Sequence, residues 1–454
     1  MHSKSLTSAA LAGLLGFWAS DARAADLFNL NLNVTTPTTA NASASFSTIT
    51  NLANSLQNQN LINLTSAYTI TSAATGILNV RGLTATASYT TGSPVLTFVV
   101  PSAGLNVSFN GGTRDASQIL FKDFLLKNGG GIATKLLQAL VAKSPIDPVA
   151  GNPNSMQNTS ARSDFGIGTG IGIGGFNAPT SGGGPRAMSP GQSNFASMGR
   201  FLGNGGDFIS AQSAAGPSGL SGVLIGQSNL ASTGGDVGIS MSGGYTSTMV
   251  SLPIRYIIPF SDPRYAVTLD LPISYVNTAG ASAYSGSFGV SLRIPVTENW
   301  YLTPSVRAGA SASIDLGAGA IQYSGGIASR YDIFVSDLRV TIGNGVTFAK
   351  TAALQVGSIS VNYDLTNVVF NNGVQVEGSL PYQVFGQPTS WQAYIVDTTI
   401  TGSAVYLNHY DEIGINVGTR AGQNKQNWDS LRVGAAVLVG SRYNAFKLQF
   451  SARF

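Results

Sequence analysis

The sequence predicts an all-β transmembrane antiparallel β-barrel of about twelve strands at the C-terminus, preceded by a small α+β module and a Gly/Ser-rich linker. Three observations predict it. The chain is hydrophobic at 43% of its 454 residues and charged at only 10%. Beyond residue 25 it nevertheless holds no run of about 18 apolar residues, the length a membrane helix needs. From residue 236 onward, apolar and polar residues alternate in one segment after another, as in a wall with one lipid face and one lumen face.

The first residues read as a secretory leader. His2 and Lys4 give a weakly basic start, Ala9 to Ala19 a short apolar core, and Ala22-Arg23-Ala24 the small-x-small pattern of a processing site. Cleavage is expected after Ala24, which makes residues 1–24 a signal peptide. Its apolar core is too short for a permanent anchor.

Residues 25–145 read as the small α+β module. The stretch 26–65 is rich in Asn, Ser and Thr, with a moderate helical signal from Phe46 to Leu64. From Tyr68 to Phe109, apolar groups such as Val80, Leu83, Leu96 and Phe98 are punctuated by Gly, Ser and Pro, which predicts strands. Two helices are expected at 115–127 and 132–143, parted by Gly129, Gly130 and Gly131 because three glycines disfavour a continuous helix. Residues 146–235 follow as a Gly/Ser/Asn-rich linker or pore plug, entered through the Pro-punctuated run 144–153.

The barrel is expected over 236–454, with strands near 237–245, 248–259, 265–276, 282–295, 300–314, 318–333, 337–349, 371–381, 391–406, 409–420, 428–440 and 444–454. The last is the clearest: Phe446, Leu448, Phe450, Ala452 and Phe454 alternate with Lys447, Gln449, Ser451 and Arg453. Strand phase assigns Arg255, Asp270, Arg293, Arg307, Arg330, Asp332, Arg339, Asp397, Glu412, Arg432, Lys447 and Arg453 to the lumen. Such groups either attract anions or dock a passing chain, or they pair to fill and stiffen a narrow barrel. Tyr and Trp fall mostly near the strand ends, where amphipathic rings favour the two membrane interfaces.

Composition excludes much else. The net charge is +4 and the pI about 9.2, but Lys and Arg are scattered singly, so no nucleic-acid partner is expected. There is no cysteine, hence no disulfide, thiolate nucleophile or Cys-based metal site. After the leader the only histidine is His409, too little for a catalytic triad. Asp411 and Glu412 diverge as strand neighbours. The glycines at 166–175 lack the Lys-Ser/Thr of a phosphate loop. No enzyme activity, cofactor, catalytic residue or metal site is expected.

The leader, the closing strand and the terminal Phe454 resemble outer-membrane barrels, and within them the translocators of autotransporters (type V secretion). The resemblance covers roughly residues 236–454. It implies a Gram-negative outer membrane, contact with its lipid and lipopolysaccharide, and delivery by periplasmic chaperones. It also implies that the barrel-assembly machinery reads Phe446, Leu448, Phe450 and Phe454. The short N-terminal part departs from most autotransporters, since it shows no β-helix rungs. The expected function is an autotransporter-like protein whose barrel anchors and translocates a short surface module for adhesion or biofilm contact. The alternative is an outer-membrane channel or porin, including an export pore for another polypeptide such as functional amyloid, with a periplasmic module. Assembly into a homo-oligomer is left open.

Overall fold

A computed structural model describes residues 26–127, 131–171, 230–262, 264–356, 359–419 and 430–453. The expected signal peptide, with Ala22 and Ala24, and Phe454 lie outside them, as does the Arg453 side chain.

The N-terminal module begins with strands the sequence reading did not mark. Phe28, Leu30, Leu32 and Val34 alternate with Asn29, Asn31 and Asn33 to make β1 (Phe28–Thr36), its apolar side buried and its amide side exposed. It pairs with β2 (Ala40–Phe46) and β3 (Ala73–Val80), and the sheet continues through β4 (Leu83–Tyr89), β5 (Leu96–Val100) and β6 (Leu105–Phe109). The antiparallel order is β2-β1-β3-β4-β5-β6. One face is covered by α1 (Ile49–Ser55), α2 (Asn58–Leu64), α3 (Arg114–Lys127) and α4 (Gly131–Lys143). Thr48 caps α1 by accepting from the Asn51 N–H. The core lies between these layers, with Leu30, Leu32, Leu78, Phe98, Phe121 and Val141 buried. Phe98 and Phe121 pack with ring centroids 4.9 Å apart.

Twelve strands close the C-terminal barrel: β7 (Leu230–Ser242), β8 (Tyr245–Pro259), β9 (Ala266–Thr278), β10 (Ala281–Pro295), β11 (Trp300–Ser313), β12 (Ala318–Val335), β13 (Leu338–Ala352), β16 (Thr366–Val384), β17 (Gln387–Gly402), β18 (His409–Thr419), β19 (Ser430–Gly440) and β20 (Tyr443–Arg453). A small hairpin, β14 (Leu354–Val356) with β15 (Ile359–Val361), stands on the connection between β13 and β16. Neighbours pair antiparallel in sequence, and β20 returns to β7 with Tyr443 opposite Ser242 and Arg453 opposite Ser232. The fold class is the one read from the sequence. The shortest wall strand has 11 residues, enough for a tilted strand to cross a bilayer core of about 30 Å. No described helix is long and apolar enough to cross a membrane.

The even strand number gives the barrel two unlike rims. At one rim β7 begins and β20 ends; at the other lie the turn Gly243-Gly244 and the connection 353–365. Gly243 (φ 57°) and Gly244 (φ 85°) supply the left-handed pair that a two-residue hairpin needs. The module sits on this second rim. The Ile49 N–H donates to the Asp315 carbonyl (3.0 Å) and the Tyr406 N–H to the Val141 carbonyl (3.0 Å). Tyr245, Leu316 and Tyr363 of the barrel join the module's apolar core.

Candidate functional site: the plugged lumen

The outer wall is apolar wherever strand parity points outward. Val250, Leu252, Ile254, Phe288, Ile415 and Leu448 are among the exposed side chains of this belt, a surface that water disfavours and lipid accepts. Aromatic rings edge it. Tyr256, Tyr265, Trp300 and Tyr331 lie toward the rim of the strand termini; Tyr275, Tyr284 and Tyr323 lie toward the module. Other rings expected at the interfaces turn inward instead: Tyr245, Tyr301, Tyr394, Tyr410 and Tyr443 are buried.

Inside, the wall is polar and filled. Between the module and β7 the chain descends through the lumen and forms α5 (Met156–Thr169), nearly all of it buried. The entry is held at each step. The Asn152 Nδ2 donates to the Asp147 carbonyl (2.7 Å), and Asn158 Nδ2 to the Asn152 carbonyl (2.6 Å). Asn154 Nδ2 donates to Ser240 Oγ of β7 (3.0 Å), and Ser311 of β11 donates to the Pro148 carbonyl (3.1 Å). Gly170 ends the helix in the left-handed conformation (φ 76°).

Two charges on α5 tie it to opposite walls. The Arg162 guanidinium forks onto both carboxylate oxygens of Glu412, Nη2 to Oε1 at 2.8 Å, and Tyr394 also donates to that carboxylate (3.0 Å). Asp164 accepts from Arg307 Nη2 (2.8 Å), which also reaches Asp270 (2.6 Å). Arg255 donates to Asp270 (2.8 Å), and Ser163 donates to the same carboxylate (2.8 Å). A buried ion must be paired and hydrogen-bonded to be tolerated, and this network provides both. The remaining expected lumen groups face inward as well. Arg330 pairs with Asp332 (2.9 Å), Arg339 with Glu377, and Arg432 donates to Ser390 (3.0 Å). Lys447 is buried, and Arg293, near a strand end, donates to the Arg264 carbonyl (3.0 Å).

Asp397 is a correction. Its neighbours Val396 and Thr398 are the buried ones, so Asp397 faces out, half-exposed beside His409 (Nδ1 to Oδ2, 3.1 Å). β17 is apolar on both faces, Tyr394, Val396 and Ile400 inward and Ala393 and Ile395 outward, so hydrophobic phase could not orient it. Asp411 also faces out while Glu412 faces in, the divergence expected of strand neighbours. Asp397, His409 and Asp411 gather within 4.8 Å on this outer surface.

The wall is shaped for the helix. Phe165 rests where a Cβ on Gly345 or Gly373 would come within 3.0 and 3.2 Å of its ring, and Thr169 and Ile171 would meet a Cβ on Gly343 at 2.8 Å. Two cavities beside the segment 145–163 measure 20 and 50 Å³, room for a few waters. In Gly343→Val the helix should therefore fail to seat. The chain has no cysteine, so a Ser160→Cys reporter gives a clean reading. Its maleimide labelling should quicken roughly tenfold or more in the valine variant, as expected when a protected site opens locally. Unchanged labelling would refute the steric fit.

A second buried pair joins module, plug and rim. Arg81 (φ 54°) donates from Nη1 to Asp147 Oδ2 at 3.1 Å, and the Tyr363 hydroxyl lies 3.3 Å from the same oxygen. All three side chains are fully buried. Burial pushes the Asp147 carboxyl above its ordinary value, while Arg81 draws it back. Sequence reading missed Arg81, Asp147, Arg162 and Asp164. The one visible hint was the isolated Arg-Ser-Asp at 162–164, two opposite charges in an otherwise neutral stretch.

No known family model matches the sequence, and no curated protein matches it significantly. Among solved structures, the β domain of the Bordetella autotransporter BrkA is similar at 13% identity and a TM-score of 0.42, covering 50% of this chain and 99% of its own. The translocator domain of autotransporter NalP from Neisseria meningitidis is similar at 13% identity and 0.35, covering 50% and 87%. An outer membrane channel from Pseudomonas putida is similar at 8% identity and 0.33, covering 50% and 95%.

Proposed function

We propose that this chain is an autotransporter-like protein of the Gram-negative outer membrane. The barrel anchors it, and the N-terminal module stands at the cell surface. One observation carries the reading: the module and the two strand termini lie at opposite rims, and the chain crosses the lumen between them as α5. A barrel inserted from the periplasm passes its hairpin turns through the bilayer and keeps its strand termini behind. On this reading the module stands outside, and α5 stays in the pore the module passed through. The outward Phe446, Leu448 and Phe450 of β20 offer the assembly machinery an apolar edge. Adhesion or biofilm contact is then the module's work, and α5 in the lumen keeps the pore closed at rest.

An epitope inserted between Thr91 and Gly92, in an exposed turn of the module, tests this. Antibody should label intact cells. Labelling only after the outer membrane is permeabilised would overturn surface display and leave the channel with a periplasmic module.

A further inference from the structure

The sheet face turned away from the module's core is lined by neutral hydrogen-bonding groups. Strand register sets Asn41, Asn33, Thr75, Ser88, Thr97 and Ser108 in one row across all six strands. Each is exposed or half-exposed. At about 4.8 Å per strand the row runs roughly 24 Å. In the next row Ile77, exposed, stands between Asn31 and Thr86. The six strands contain no Asp, Glu, Lys or Arg; Asp26, just before β1, accepts from Ser45 at one corner (2.6 Å), and Arg81, in the β3–β4 turn, is fully buried.

We propose that this face binds a neutral polysaccharide. Charge complementarity selects the class, because a face without cations offers nothing to nucleic acid, anionic lipid or acidic glycan. Hydroxyls and amides both donate and accept, so they match sugar hydroxyls in either sense. Short side chains lose little rotamer freedom on binding. Ile77 gives the carbon face of a sugar ring an apolar contact between polar rows. The proposal rests on the surface reading only in that the module must meet such polymers outside the cell.

The test uses the purified full-length protein in nanodiscs, so it does not depend on orientation in the cell. Retardation is measured in gels containing dextran, mannan or soluble β-glucan, with alginate and heparin for comparison. At least one neutral polymer should retard the protein, with little response to salt. Asn33→Lys with Thr75→Lys should weaken that binding about tenfold, while Gln59→Lys, exposed on α2, should leave it unchanged. Folding of each variant is checked by its circular dichroism. Three outcomes would overturn the proposal: no retardation by any neutral polymer, retardation by the anionic polymers alone, or a double-lysine variant that binds as well as the parent. So would self-association abolished by the double variant, which would make a second copy of this chain the occupant.

Discussion

A chain lacking Met156–Thr169 is expected to conduct ions across a planar bilayer where the full chain stays closed. The barrel wall closes through its own strand pairs, β20 on β7 included, so the wall does not need α5 for continuity. What α5 removes is space: it is nearly all buried in the lumen, and a cavity lined by its Met156, Ser160 and Arg162 measures 50 Å³. Its loss should raise single-channel conductance by roughly tenfold or more, as a filled interior becomes a water path. A milder variant separates the electrostatics from the volume. Arg162→Ala leaves Glu412 buried without its forked partner, a loss worth roughly 3–5 kcal/mol. It should give flickering openings, and Arg162→Ala with Glu412→Gln should quieten them by removing the orphaned charge. A deletion variant that inserts correctly yet stays closed would refute α5 as the seal.

The second large effect is expected at the joint between module and barrel. Arg81→Met removes the cation opposite Asp147 in a fully buried site, which again costs roughly 3–5 kcal/mol because the remaining carboxylate is uncompensated. The module should lose its seat on the rim. Limited proteolysis should then cut within residues 26–143 at a much lower protease dose, while the barrel still migrates as a compact species in unheated gels. Replacing both partners, Arg81→Met with Asp147→Leu, should recover most of the resistance. If the single variant resists protease as well as the parent, the pair does not hold the module.

The barrel was legible because lipid enforces a simple rule on every strand: alternate residues must be apolar, and the pattern in Val250–Tyr256 or Leu431–Val439 leaves one assignment. Where both faces are apolar the rule gives no phase, and Asp397 was misplaced for that reason. The β1 alternation of Phe, Leu and Val with Asn was present in the sequence, but the Asn-rich composition of 26–65 obscured it. The helix in the lumen is a different case. Asn158, Thr159, Ser160, Gly166 and Gly168 are poor helix formers, and no apolar stripe marks a buried side. Its order comes from partners far away in the chain, such as Glu412, Arg307 and the glycines of β13 and β16, none of which a local window contains. The lumen charges could be listed from strand phase. The pairing of Glu412 and Arg307 could not, because Arg162 and Asp164, the ions they answer, sit on α5.

Closure of the wall by Tyr443–Arg453 against Leu230–Ser242 also sets a clock. No complete wall can form until those eleven residues have left the ribosome, about two hundred positions after their partner strand, and such distant pairing is intrinsically slow. The wall therefore stays open until its twelfth strand has been made.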